Sequence, residues 1–189
     1  VLALGANTGA GTGAITLNGG SLDAASALTI TNAISLGANL AFTGTANLTQ
    51  TTGAITLTTA RTITVDANTL SLGGVVGGAF SLTKAGAGTL TLAGTNTYTG
   101  GTFLTAGKLS AGVDANLGAT AGGLTFNAGT LLSSGTFSTA RAVTMTGAGT
   151  IEVAASQTLT MTGVIAGAGA LTKAGAGTLT LSAINTFTG

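Results

Sequence analysis

The chain contains no cysteine, histidine, proline or tryptophan. Without histidine there is no imidazole base, hence no Ser-His-Asp arrangement. Without cysteine or histidine, zinc and other soft-metal sites lose their usual ligands. A small disulfide-stapled scaffold is also excluded. Charge is nearly as scarce: 5% of residues are Asp, Glu, Lys or Arg, against roughly 25% in an ordinary soluble domain. The five cations, Arg61, Lys84, Lys108, Arg141 and Lys173, are scattered singly and the formal net charge is +1. A nucleic-acid groove needs clustered Lys and Arg, so no nucleic-acid partner is expected. No apolar run approaches the ~20 residues of a membrane span, so no span is expected in this segment. Val1 opens in mid-pattern, with no signal-peptide layout.

What remains is apolar, Gly-rich and Thr-rich. Hydrophobic residues make up 44% and glycines number 33. That hydrophobic fraction argues against disorder, which requires too little apolar surface to offset chain entropy. The apolar residues alternate with small polar ones. Ile15-Thr16-Leu17, Leu28-Thr29-Ile30, Ile55-Thr56-Leu57, Ile63-Thr64-Val65, Leu70-Ser71-Leu72, Leu90-Thr91-Leu92 and Leu159-Thr160-Met161 all have period two. Such alternation places one set on each face of a strand, and Thr suits the pleated surface. Gly, Asn, Ala and Ser separate the short strands, as turns and corners require. No stretch sustains the apolar spacing of a capped helix, so no helix is expected.

Internal repetition selects the architecture. Phe80 to Gly100 reads FSLTKAGAGTLTLAGTNTYTG, and Ala168 to Gly189 reads AGALTKAGAGTLTLSAINTFTG. LTKAGAGTLTL is identical in both, the copies lying roughly 89 residues apart. Weaker matches relate Gly13–Leu22 to Gly122–Leu131, and Thr59–Val65 to Thr139–Met145. The offsets differ by about 10 to 20 residues, as if whole turns or half-turns had been gained or lost. Short strands with turn signals fit a sandwich or a solenoid. Long identical repeats, with Asn18-Gly19 as the only Asn-Gly pair and no Asp-Gly, favour the solenoid. The expectation is an all-β solenoid, a parallel β-helix, occupying residues 1–189 as one continuous segment. Repeat copies end near residues 100 and 189. Rungs are expected to hold about 20 residues, with inward Leu, Ile, Val and Phe stacked along the axis.

Leu82, Lys84, Gly88-Thr89-Leu90-Thr91-Leu92, Asn96-Thr97-Tyr98-Thr99-Gly100-Gly101-Thr102 and Phe103-Leu104 form one pattern. That pattern resembles the autotransporter-associated β-strand repeat. Val113-Asp114-Ala115-Asn116-Leu117-Gly118 resembles the segment that follows it in that family. The second copy matches to Asn185-Thr186-Phe187-Thr188-Gly189. The resemblance implies a right-handed parallel β-helix passenger exported to the bacterial cell surface, and by itself no activity, because the repeat is scaffold in proteins of many roles.

Each chemistry-bearing residue has a plainer structural account. Gly9-Ala10-Gly11-Thr12-Gly13-Ala14 meets a loose dinucleotide pattern, but no helix follows it. Gly107-Lys108 lacks the flanking residues of a phosphate loop. Asp23, Asp66, Asp114 and Glu152 stand near two rungs apart, so they are expected as solvated turn acids that could share a face. At about 9.6 Å they are too far apart for a retaining glycosidase pair. Calcium would need several oxygens at one point. Lys84 with Lys173, and Arg61 with Arg141, recur at what read as equivalent positions, which suggests shared corners opening to solvent. Asn96 and Asn185 precede an aromatic, Tyr98 or Phe187, and are expected to stack on the next coil and satisfy corner backbone groups. Asn47-Leu48-Thr49 matches a glycosylation pattern that carries little information in a bacterial protein.

The expected role is a structural or adhesive extracellular fibre segment with no catalytic, cofactor-binding or metal-binding residues and no cofactor. Partners would be neighbouring copies or a continuation of the same solenoid, together with a host or environmental surface. The alternative is a ligand-binding passenger that takes ice or glycan on Thr-rich faces, through pairs such as Thr29/Thr31, Thr56/Thr58, Thr62/Thr64, Thr95/Thr97/Thr99 and Thr158/Thr160/Thr162. Neither terminus resembles the polar cap a solenoid end needs, so neighbouring chain or protein is expected at both ends. With no histidine, thermal stability is expected to stay flat from about pH 5 to pH 9.

Overall fold

A computed structural model describes residues 1–189. Twenty-five short strands and one 3-10 helix make up the secondary structure. Every strand pair is parallel, and partners come from successive coils rather than from hairpins. Leu2 lies beside Leu22, Leu22 beside Phe42 and Phe42 beside Val65. The chain is therefore an all-β solenoid of about nine turns, with about 20 residues per turn.

The coils build three faces. The first face is a ten-stranded sheet that runs from Leu2–Leu4 to Thr186–Phe187. The second is an eight-stranded sheet from Leu28–Ile30 to Leu171–Ala174. The third face is broken in two. Ile15–Leu17, Ile34–Leu36, Ile55–Leu57 and Val76–Gly77 form its first part, and Phe137–Thr139, Thr158–Met161 and Thr178–Leu181 its second. The 3-10 helix Asp114–Leu117 falls between them. This single turn departs from the expectation of no helix. Asn116 accounts for it, because its Oδ1 accepts the Gly112 and Val113 amides at 2.9 and 3.0 Å and pulls the chain into a tight bend.

Period two decides which side chains enter the core. On the second face Leu28, Leu48, Leu70, Leu90, Leu109, Leu131 and Ile151 lie in register up the axis. Leu90 and Leu92 are buried and Thr91 between them is not. Thirty-seven buried apolar residues form one cluster, so the three faces share a single core. Burying each large one contributes on the order of 1.5–3 kcal/mol. Leu179 also packs against this core, and Leu181 is 37% exposed.

The two identical segments do not occupy the same face. Leu82–Ala85 is on the first face and Thr89–Leu92 on the second. Their copies Leu171–Ala174 and Thr178–Leu181 are on the second and third. The match of Gly13–Leu22 to Gly122–Leu131 behaves alike, with Ile15–Leu17 on the third face and Leu124–Phe126 on the first, whereas Arg61–Val65 and Val143–Met145 of the other weaker match are both on the first. In the identical segments and the Gly13–Leu22 match the later copy is thus turned one face around the axis, an offset of whole coils plus one face.

Candidate functional surface

The outward positions form columns of Thr and Ser. On the second face Thr69, Thr89, Lys108, Thr130, Thr150 and Thr172 are in register. Two residues along, Thr29, Thr49, Ser71, Thr91, Ser110, Leu132 and Glu152 make a second column. The first face carries Thr62, Thr83, Phe103, Thr125 and Thr144. Both Thr columns of the second face continue without interruption only over Thr69/Ser71 and Thr89/Thr91. Beyond them Lys108 and Glu152 pair at 2.6 Å across the face, and Leu132 breaks the second column.

The four carboxylates are not gathered on one face. Asp23 belongs to a first-face strand, and its carboxylate accepts the Thr45 amide at 2.8 Å and the Thr45 hydroxyl at 2.6 Å. The hydroxyl bond, then the amide, holds its carboxyl below the usual range. Asp66 follows a first-face strand, and Glu152 belongs to the second face. Asp114 is in the 3-10 helix and pairs with Arg141. Two of the four are therefore in ion pairs, which revises the reading of all as solvated turn acids.

Arg141 corrects the sequence reading more strongly. It is 1% exposed rather than a corner cation open to water. Its Nε donates to Asp114 Oδ1 at 2.8 Å. Nη1 donates to the carbonyls of Ala119 and Gly122, at 2.6 and 2.8 Å. Nη2 donates to Gly118 O at 2.7 Å and to the Asp114 carbonyl and Oδ2. The rigid guanidinium fork matches this ring of acceptors. Tyr98 is packed alongside. Its hydroxyl and that of Thr102 lie 2.7 Å apart, and Thr102 Oγ1 donates to Leu117 O. Burial pushes the Tyr98 phenol up to about 12, against smaller opposing effects of Thr102 and Arg141. Gly118, at φ +84°, touches the Tyr98 ring so closely that a Cβ would fall 2.7 Å from it. This cluster fills the break in the third face.

Arg61 is not the structural equivalent of Arg141. In the ladder of the first face Arg61 aligns with Leu82, Thr102, Leu124 and Val143. It is partly exposed and donates to the carbonyls of Leu36 and Gly37 at 3.0 and 2.8 Å.

Lys84 and Lys173 make the same corner contacts, but only Lys173 is open to solvent as expected, and Lys84 is not. Lys84 stands in the core column between Ile63 and Leu104 and is 0% exposed. Its Nζ donates to Ala85 O at 2.5 Å, Gly86 O at 2.7 Å and Ala106 O at 3.3 Å. Lys173 stands in register with Ile151 and donates to Ala174 O and Gly175 O, at 2.8 and 2.7 Å. Both ammonium groups thus cap the carbonyls of their own corner, Lys84 from within the core and Lys173 from an exposed position. Burial depresses the Lys84 ammonium to about 8, with Asp66 opposing. With that depression, stability is expected to rise from about pH 8 upward, where the sequence alone suggests a flat profile. Gln50, which the sequence reading passed over, is buried in the same manner and donates to the carbonyls of Asn32 and Gly53.

Asn96 and Asn185 are placed as expected. Asn96 Oδ1 accepts the Val76 amide at 2.8 Å, and its Nδ2 donates to Asn116 O. Asn185 Oδ1 accepts the Ile165 amide at 2.8 Å.

Residues 82–111 and 171–189 match the passenger-associated-transport-repeat family. The chain is also 44% identical over 68 residues to the adhesin BmaC autotransporter of Brucella suis biovar 1 (strain 1330). That alignment covers 35% of this chain and 2% of the adhesin. No solved structure matches. The identical segments, the corner lysines and the inward asparagines all fall within the matched residues, so the chain is a β-solenoid that carries autotransporter passenger repeats.

Proposed function

We propose that this chain is a structural, adhesive section of a secreted passenger displayed on a bacterial surface, and that it acts without catalysis. The observation that carries this reading is the pair of passenger repeats, on a chain similar to part of an autotransporter adhesin. The solenoid supports it: many outward side chains are small hydroxyls on the stacked faces, a form suited to spanning distance and presenting surface. Its partners on this reading are further coils of the same solenoid and a host or environmental surface.

A planar ligand such as ice is disfavoured. The paired Thr columns are interrupted by Lys108, Leu132 and Glu152. The two repeat copies also face different directions, so one flat surface cannot meet both.

The test is adhesion of the purified chain, immobilised on inert beads, to cultured host cells and to abiotic surfaces. A solenoid of similar size without these repeats serves as control. Retention above the control is expected, with no thermal hysteresis. Retention equal to the control would overturn the adhesive reading.

A further inference from the structure

Ten asparagines occur in the chain, and Asn18 alone precedes a glycine. Eight of the ten are held by hydrogen bonds of their side chains: Asn7, Asn32, Asn39, Asn47, Asn68, Asn96, Asn116 and Asn185. Asn127 makes none, but the amide that follows it, on Ala128, donates to Ala148 O at 2.6 Å. Asn18 is the exception on both counts. Its carboxamide has no hydrogen-bond partner, and the Gly19 amide donates to no backbone acceptor.

We infer that Asn18-Gly19 is a self-modifying site, at which the corner between the third and first faces converts spontaneously to aspartate and isoaspartate. The Gly19 nitrogen attacks Asn18 Cγ. A C–N bond forms, the Cγ–Nδ2 bond breaks, and ammonia leaves with the proton lost from the amide. The product is a five-membered succinimide. Water then opens the ring at either carbonyl, giving an ordinary Asp linkage or an isoaspartyl linkage. One water is consumed and one ammonia released, with no oxidant or second reactant.

The corner permits each step. Asn18, Gly19 and Gly20 are exposed, so water reaches the ring. An added Cβ at Gly19 or Gly20 would meet nothing within 4 Å, so the ring has space on that side. Gly19 lies at φ +136° and Gly20 at φ +76°, a backbone without the restraint of a side chain. The carboxamide rests on Gly37 of the next coil, where a Cβ would fall 1.9 Å from Asn18 Oδ1. Arg61 donates to the Gly37 carbonyl from the coil beyond. The new carboxylate therefore arises beside a backbone that a guanidinium already grips. With a formal net charge of +1, one such event brings the chain to neutrality.

The test is incubation of the folded wild-type chain at mildly alkaline pH, followed by peptide mapping with mass spectrometry and isoelectric focusing. Conversion is expected at Asn18, with isoaspartate among the products and an acidic band in focusing, while the other nine asparagines stay intact. An Asn18→Gln variant should lose the band while its circular dichroism is unchanged. A urea-unfolded sample supplies the comparison. If the unfolded chain loses Asn18 while the folded chain retains it, the corner blocks ring closure and the inference fails. Equal conversion across all asparagines would overturn it too.

Discussion

Replacing Arg141 by Met keeps much of the aliphatic stem and deletes the guanidinium. Asp114, whose side chain is 22% exposed, loses its partner. The carbonyls of Gly118, Ala119 and Gly122 lose theirs as well. Removing one member of a buried ion pair costs about 3–5 kcal/mol, because the other charge stays uncompensated. Partial access of water to Asp114 places the expected loss toward the lower end, near 3 kcal/mol. At about 2–4 °C per kcal/mol for a chain of this size, melting should fall by about 6–12 °C. The loss should also be local. Amide exchange should accelerate at Ala119 and Gly122, whose N–H groups donate to Tyr98 O and Ala119 O, before it does at the leucine ladder of the second face. Arg61→Met is the control. Arg61 is partly exposed, has no carboxylate partner and should cost less than about 1 kcal/mol. Urea melts of both variants with residue-resolved exchange decide the matter. Equal losses for Arg61 and Arg141, or an Arg141 variant within about 1 kcal/mol of wild type, would refute a compensated buried charge.

Stability should pass through a maximum near pH 10. Lys84 is depressed from 10.5 to about 8, so from pH 8 to 10.5 the unfolded chain holds a proton the folded chain has released, and stability rises by at most about 3 kcal/mol. Tyr98 is raised from 10.0 to about 12, so above pH 10 the folded chain keeps the proton that the unfolded chain loses, and stability falls. Lys84→Met should abolish the rise and Tyr98→Phe the fall, read from urea midpoints across alkaline pH; an unchanged slope in the Lys84 variant would sink that assignment. Leu90→Ala should cost about 2–5 kcal/mol and Thr91→Ala under about 1, since one points into the ladder and the other away; similar values by denaturant titration would contradict the inward-outward alternation.

Much of this fold was legible because a period of two leaves few choices. Once Leu90-Thr91-Leu92 is a strand, its leucines must share a side, and long repeats rule out hairpins. The inward lysine was legible by the same rule and went unread: in Leu82-Thr83-Lys84 the cation shares parity with a core leucine. The same is true of Gln50 after Leu48-Thr49. A lone cation in a sequence suggests a place in water, although a corner rich in bare carbonyls can satisfy an ammonium as well. Arg141 was not legible in this way. Its acceptors lie on the preceding coil, around a 3-10 turn with no periodic signature. The match between Thr59–Val65 and Thr139–Met145 misled for a related reason. Ladder register is set by stacking, and it places Ile63, not Val65, in the column of Met145.

The face change between the copies follows from how self-contained the repeat is. Lys84 caps Ala85 and Gly86, and Lys173 caps Ala174 and Gly175, so each corner is satisfied mainly by its own lysine. The strands on either side then need only an apolar neighbour in the adjacent coil. All three faces supply one: Ile63 beneath Lys84 on the first, Leu70 beneath Leu90 and Ile151 beneath Lys173 on the second, Leu159 beneath Leu179 on the third. Nothing in the segment LTKAGAGTLTL prefers one side of the triangle. Its orientation is fixed by the residues counted between copies, and a spacer longer or shorter by one face turns the next copy without loss of core. Between these copies the spacer supplies Asp114 and Arg141, which meet Tyr98 of the first copy where the third face has no strand. The length of the spacer, rather than the repeat, sets the direction in which the second copy faces, and sequence drift confined to spacers can redirect a passenger's surface while the repeats stay constant.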